Sequence, residues 1–318
     1  MEPDFDVKEN MSWIDCHLAR ANKVSGLLRV RKVVSNWFSI PFFRIGLKKD
    51  LKLHFRDGRV VAIKSQNEYF DFWASIEGSR YYLKAMGVKI QMGRNTVSFK
   101  HGGHTVKFWF DSKQQLANVL SLIFEQFGRE QYKWLDVKGR VVVDIGANVG
   151  DTAIYFALNG AKHVYAFEPY PYSYGLARKN IKLNGLENKI TLLNEGVSGK
   201  GGQIKIAESF KSDMNSSMRG FSRGKSIRVT TLNGIVRRFK IKNGALKSDC
   251  EGYEYPIFLK AGSGTLNGFD QMMIEYQYGY RNLVRKLEDE GFRARHTMPT
   301  YLARSKMFLG MIYVSPTS

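Results

Sequence analysis

The chain has 318 residues, 43% of them hydrophobic and 25% charged, enough to bury one substantial core and leave room for a second, smaller domain. Its 49 Lys and Arg against 29 Asp and Glu give a formal net charge of +20, which suits nucleic acid, an anionic bilayer surface, or a phosphorylated or acidic substrate. Cys16 and Cys250 are the only cysteines, so a disulfide scaffold and a cysteine-built metal cluster are excluded; no run reaches the roughly 18 apolar residues of a membrane span, the opening MEPDFDVKEN has no signal-peptide core, and a cytoplasmic protein is expected.

In chain order, the mixed apolar, aromatic and basic text of residues 10 to 50 predicts a helix over about 12 to 35, stopping before Pro41. LKLHFRDGRVVAIK alternates on both sides of Asp57-Gly58, a hairpin signature. NEYFDFWASIEGSRYYLKAMG predicts one or two short helices ending near Gly87, and VKIQMGRNTVSFKHGGHTVKFWF predicts short strands with glycine turns. His101 and His104 in that stretch have no carboxylates near them in sequence and read as loop residues. A small α+β domain is therefore placed at 1–110.

From Asp111 the texture changes. Asp111 or Ser112 can cap a helix with Leu116, Val119, Leu120 and Ile123 on one face. Strands follow over 140–145 and HVYAFEP, a helix over PYSYGLARKNIKLNG, then strands in KITLLNEGV, SIRVTTLNGIV, GALKSDCEG and DQMMIEYQ. FRARHT and FLGMIYVS close the chain as a pair. Strands alternating with helices predict an α/β, mostly parallel sheet covered on both faces. The Gly-, Ser- and Lys-rich stretch 200–228 reads as a loop bordering a site. Ten basic residues and one acid between Lys211 and Lys247 make that edge a candidate substrate surface.

Ligands of open α/β sheets bind beyond the carboxyl ends of the strands. The first such turn, VVVDIGANVGDT, carries Asp144, Gly146 and Gly150 in the pattern D-x-G-x-x-x-G. A carboxylate at the strand end repels the diphosphate that G-x-G-x-x-G would hold, and no G-K-[S/T] follows, so a phosphate-free ligand with an amine is favoured. Glu168 ends the second strand, 24 residues after Asp144, where an acid can accept two ribose hydroxyls. Together they predict an adenosyl site.

These stretches resemble the class I S-adenosylmethionine-dependent methyltransferases, and more closely the FkbM family, over about 112 to 318. VVVDIGANVGDTAIYFA is similar to that family's first motif and VYAFEPYPYSYGLARKNIKLNG to its second strand and helix. ALKSDCEGYE is similar to its Lys-Asp-Glu-Gly-Glu hallmark, and MMIEYQ to its next strand. Ser248 and Cys250 stand where the family has branched apolar residues, and Tyr276 where it often has His. The resemblance implies a Rossmann-like, seven-stranded methyltransferase domain over 111–318 with S-adenosylmethionine as cofactor. It implies cofactor contacts from Asp144, Gly146, Asn148, Gly150, Asp151, Glu168, Asn194 and Glu195. Lys247, Asp249 and Glu251 become the candidate catalytic residues, the last two as base, metal ligand or sugar-hydroxyl contact, and strand alternation would put all three on one face. Glu254, Glu275 and Tyr276 become candidate acceptor contacts. Tyr165, Tyr170, Tyr172 and Tyr174 could stack on adenine or a sugar.

The resemblance favours O-methylation of a hydroxyl on a sugar, glycolipid or other small molecule. The +20 charge keeps RNA as an alternative acceptor, although SDCEGY stands where base N-methyltransferases carry an Asn-Pro-Pro-Tyr-like motif. A cofactor-binding protein without catalysis is the other alternative, and an intact turn and acids speak against it. The basic, aromatic segment Arg29 to Lys49, with Trp37, Phe38, Phe42 and Phe43, is a candidate contact for an anionic membrane. Oligomeric state stays open.

Overall fold

A computed structural model describes residues 10–11, 30–206, 224–302 and 307–317. The described residues fall into two compact units, one within 21–131 and the other within 1–20 and 132–318.

In the smaller unit the predicted helix over 12–35 lies mostly outside the described residues. The chain from 31 to 38 runs through turns, and the first helix that lies wholly within the described residues is α1, Ser39–Arg44. Pro41 therefore sits inside a helix instead of ending one. It occupies the first turn, whose N–H groups have no intrahelical acceptor, so its missing donor costs nothing there. β1 (Leu51–His54) and β2 (Val60–Ile63) form the expected antiparallel hairpin, with Gly58 in its turn at φ +89°. Ser65 and Ser75 cap α2 (Gln66–Ala74) and α3 (Ile76–Ala85) by accepting the amides of Glu68 and Gly78. β3 (Gln91–Met92), β4 (Thr96–His101) and β5 (His104–Trp109) make a three-stranded antiparallel sheet, and His101 pairs with His104 across its turn.

Ser112 caps α4 (Lys113–Ile123), which runs into a single π turn over Phe124–Gly128. The domain boundary expected at 110/111 thus lies further on, at 131/132. The apolar stripe of α4 is satisfied by packing on α3 of the same unit.

The larger unit carries β6 (Val141–Ile145), α5 (Asp151–Leu158), β7 (His163–Phe167), α6 (Pro171–Leu183), β8 (Ile190–Leu193), β9 (Glu195–Val197), β10 (Gly202–Ile206), β11 (Lys225–Thr230), α7 (Leu232–Phe239), β12 (Gly244–Ser248), α8 (Glu254–Leu259), α9 (Ser263–Leu266), β13 (Phe269–Tyr276), α10 (Arg281–Asp289), β14 (Phe292–His296), β15 (Thr300–Leu302) and β16 (Met307–Pro316). Seven strands run in the order β14-β16-β13-β12-β6-β7-β8, and β15 pairs with β16. The five from β13 to β8 are parallel, while β16 is antiparallel to both neighbours.

Parallel strands covered on both faces are apolar along their whole length. Val142, Val143, Ala245, Leu246, Met272 and Ile274 accordingly form the centre of the core. Residues 202–206, expected as loop, instead form β10, which pairs with the expected strand β11 (Lys225–Thr230) in a separate sheet with β9. Ile204, Ile206 and Ile227 supply the apolar contacts that sequence periodicity did not reveal. Residues 207–223 of the basic stretch lie outside the described residues. Among the described residues, no helix is long and apolar enough to cross a membrane.

Candidate active site

The sheet order reverses between β6 and β12: from β6 the chain winds out through β7 and β8, and from β12 through β13. The crevice at such a switch point is where open α/β sheets bind ligands. The β6–α5 turn fills it. Gly146 (φ +80°) and Gly150 (φ +84°) adopt left-handed backbone, as does Asn148 at φ +45°. The amides of Gly146 and Ala147 both donate to Phe167 O, at 3.0 Å, locking the turn to the end of β7. A Cβ on Gly146 would lie 1.8 Å from Asp249 O, so the turn and the chain leaving β12 are in backbone contact. Only glycine meets both demands.

Beneath the turn lies an ion pair. Lys247 and Asp144 are register partners on adjacent strands, each buried in an otherwise apolar layer. Lys247 Nζ sits 3.1 Å from Asp144 Oδ1 and donates to Ile145 O at 3.1 Å and Gly146 O at 2.7 Å. Thr152 Oγ1 donates to Asp144 Oδ2 at 2.6 Å. Burial alone would lower the Lys247 pKa. The Asp144 carboxylate, aided by Asp249 and Asp151, outweighs it and holds the ammonium charged above its ordinary range. Asp144, expected as a cofactor contact, has its carboxylate engaged by Lys247 and Thr152. Lys247, expected as a catalytic residue, spans the strand end and the turn.

Glu168, at the end of β7, is buried and accepts one backbone amide on each oxygen, from Asn148 at 2.8 Å and Tyr170 at 2.9 Å. A carboxylate oxygen has two lone pairs, so each can take one further donor. Burial pushes its pKa up to about 7, against the pull of those two amides. Asn194 Nδ2 clamps Glu168 O and Pro169 O at 2.9 and 3.0 Å. Glu195 ion-pairs with Arg238 at 2.8 Å. Asp151 is buried in the first turn of α5. Of the tyrosines, Tyr165 stacks on Phe239, with ring centroids 3.9 Å apart, and Tyr170 packs with Ile206 and Ile227.

The acceptor-side candidates divide. The alternation expected to align residues 247, 249 and 251 stops at Ser248, where β12 ends. Asp249 N donates to Ile145 O, and Glu251 turns left-handed at φ +56°. Glu254 accepts the amides of Cys250 and Gly252, the second at 2.8 Å, which winds this segment into a turn. Its buried carboxyl is pushed up to about 7 by desolvation.

Asp249 and Glu275 come together, and burial followed by the Asp249 charge raises Glu275 well above the usual carboxylate range. Tyr132 OH donates to Asp249 Oδ2 at 3.3 Å, and its ring lies 5.9 Å from Lys247 Nζ. Gln277 Nε2 donates to Glu275 Oε2 at 3.1 Å, while its buried Oε1 has no hydrogen-bond partner among the described residues. Tyr276, between them on β13, turns to the other side and donates to Thr297 O at 2.9 Å. The structure does not bring it to Glu275. Tyr132, Thr152 and Gln277 went unread in the sequence. Tyr132 precedes β6 without periodicity, whereas Gln277 sits two residues after Glu275 and was legible from alternation.

Strand order and a turn of this form at the switch point define the class of fold: a Rossmann-like α/β domain. More particularly, residues 144–294 match the sequence profile of the methyltransferase FkbM domain. The chain is 47% identical over 55 residues to the ribosomal protein L11 methyltransferase of Carboxydothermus hydrogenoformans, covering 17% of this chain and 18% of that protein. It is 29% identical over 166 residues to the probable histone-arginine methyltransferase 1.3 of Arabidopsis thaliana, covering 48% and 30%. It thus spans less than a third of these curated relatives. Among solved structures, M. jannaschii TYW2 in complex with AdoMet aligns at TM-score 0.38 and 17% identity, covering 72% of this chain and 90% of that one.

Proposed function

We propose that this protein transfers a methyl group from S-adenosylmethionine to a hydroxyl. The observation that carries the cofactor is Glu168, a buried carboxylate with one amide on each oxygen and one lone pair free on each, beside a glycine turn. The donor set fits the adenosyl cofactor. Glu168 takes the two ribose hydroxyls, the amino-terminal amides of α5 take the carboxylate, and Asp151 stands near the ammonium. Asn194 and Glu195 border the adenine. The cofactor supplies an electrophilic methyl on sulfur.

The chain's own residues do the rest. Lys247 and Asp144 hold the turn to β12, so that Asp249 lies against Gly146. Asp249 takes the hydroxyl proton, and the Tyr132 hydroxyl orients its carboxylate. Glu275 hydrogen-bonds the acceptor, with Glu251 and Glu254 on the bordering turn.

RNA is the acceptor this reading favours, as a ribose hydroxyl. The +20 charge supports it, while the curated relatives are named for protein acceptors, a ribosomal protein and histone arginine. A second reading, a sugar or glycolipid hydroxyl, is supported by the FkbM-domain match. Labelled methyl transfer into host extract, fractionated into RNA, protein, glycolipid and small molecules, tests both. Label in RNA supports the first and label in glycolipid or saccharide the second. Cofactor binding without label in any fraction refutes the enzyme reading.

A further inference from the structure

The smaller unit carries an exposed apolar surface. In α1 the apolar residues lie all round. Ile40 and Phe43 enter the core formed with Val34, Leu51, Leu53 and Phe55. On the opposite side Phe38, Phe42 and Ile45 follow at helical spacing, 59%, 48% and 53% exposed, and Leu47 is 71% exposed. A helix apolar on both faces normally has both covered. The amides of Leu47 and Lys48 donate to Phe42 O at 2.8 and 3.1 Å, folding the following loop back onto the end of α1. Gln66 Nε2 donates to Phe43 O at 2.7 Å, and the Arg44 guanidinium lies 4.7 Å from the ring of Phe70, which is also exposed.

The surrounding charge has one sign. From Arg31 to Arg56 there are seven Lys and Arg and one acid, Asp50, and Lys32, Lys48, Lys49 and Lys52 are exposed. Scattered exposed apolar residues need no explanation, but a contiguous set rimmed by base does. Aromatic rings with lysines also suit single-stranded nucleic acid, where bases stack on them. Ile45 and Leu47 are aliphatic, however, and Leu47 is the most exposed of the set. They offer a base no face to stack on, whereas an acyl-chain boundary receives aliphatic and aromatic groups alike.

We propose that Phe38, Phe42, Ile45 and Leu47, ringed by Lys48 and Lys49, dock this protein on an anionic lipid bilayer. Of the four aromatic residues the sequence singled out for such a role, Trp37, Phe38, Phe42 and Phe43, only Phe38 and Phe42 are exposed. The structure buries Phe43 and half-buries Trp37, and exposes Ile45 and Leu47 instead. Docking is independent of the methyl acceptor.

Flotation of the full chain with phosphatidylcholine vesicles, with and without phosphatidylserine, tests this. The protein floats with the serine-lipid vesicles, stays behind with neutral ones, and is released by salt. Phe42→Ser with Leu47→Ser lowers binding by about tenfold or more. Lys48→Glu with Lys49→Glu lowers it by at least about 25-fold, from roughly fivefold per lysine. Both pairs keep the parent melting temperature, because these side chains are exposed. RNA binding, measured in parallel, is unchanged by the serine pair. Absence of flotation on anionic vesicles overturns the proposal, as does a serine pair that floats like the parent. Equal loss of RNA binding would make the patch an RNA surface, and dissociation of a dimer by the serine pair would make it a subunit interface.

Discussion

Replacing Lys247 by Met removes the cation buried beneath the β6–α5 turn while nearly preserving side-chain length. Asp144 keeps only the Thr152 hydroxyl at 2.6 Å, and the carbonyls of Ile145 and Gly146 lose a donor at 3.1 and 2.7 Å. Leaving one half of a buried ion pair uncompensated costs about 3–5 kcal/mol. A cost of that size should lower the urea midpoint without changing the slope, since the surface exposed on unfolding stays the same. Adding Asp144→Asn removes the stranded charge and retains an acceptor for Thr152, so the double variant should regain more than about 1 kcal/mol over Lys247→Met alone. Equilibrium urea unfolding of the parent, both single variants and the double variant measures this cycle. A Lys247→Met cost below about 1 kcal/mol, or single-variant costs that simply add, would refute the coupling.

Gly146→Ala meets Asp249 O at 1.8 Å and a φ of +80°. It should destabilise by more than about 2 kcal/mol and abolish S-adenosylmethionine binding in calorimetry, and a melting temperature within error of the parent would contradict this. Glu168, raised to about 7, binds ribose hydroxyls as the carboxylate, so cofactor affinity should fall about tenfold per pH unit below about pH 7. Glu168→Gln should bind weakly and without that dependence. In the ligand-free protein the sign is opposite: stability from this raised acid is fully present below its ordinary value of 4.5 and is lost as pH rises through about 7. Tyr132→Phe removes the donor to Asp249 and should lower methyl transfer about 10- to 100-fold with cofactor affinity kept, whereas unchanged turnover would show that Asp249 needs no such partner.

The parallel sheet was legible because its strands are short apolar runs punctuated by glycine, and each predicted strand from 141 to 316 is present. What alternation could not show is where β12 stops. Ser248, Asp249 and Cys250 continue the text of a strand, yet Glu254 draws the amides of Cys250 and Gly252 into a turn from four residues downstream. The domain boundary was misplaced for a similar reason, because the amphipathic stripe of α4 specifies that it packs, not on which unit. Asp144 and Glu168 were readable as acids at strand ends. That the first is held by Lys247 was not, since their pairing depends on strand order: β6 and β12 are neighbours in the sheet although a hundred residues apart in the chain.

The central claim is a site that holds S-adenosylmethionine through Glu168. Isothermal calorimetry with S-adenosylmethionine and S-adenosylhomocysteine, set against NADH and ATP, tests it most directly. Both adenosyl ligands should bind one per chain, Glu168→Ala should weaken them by at least about 100-fold through loss of two charge-assisted hydrogen bonds, and neither phosphate-bearing nucleotide should bind. Binding of NADH or ATP in their place, or adenosyl binding indifferent to Glu168→Ala, would contradict the account.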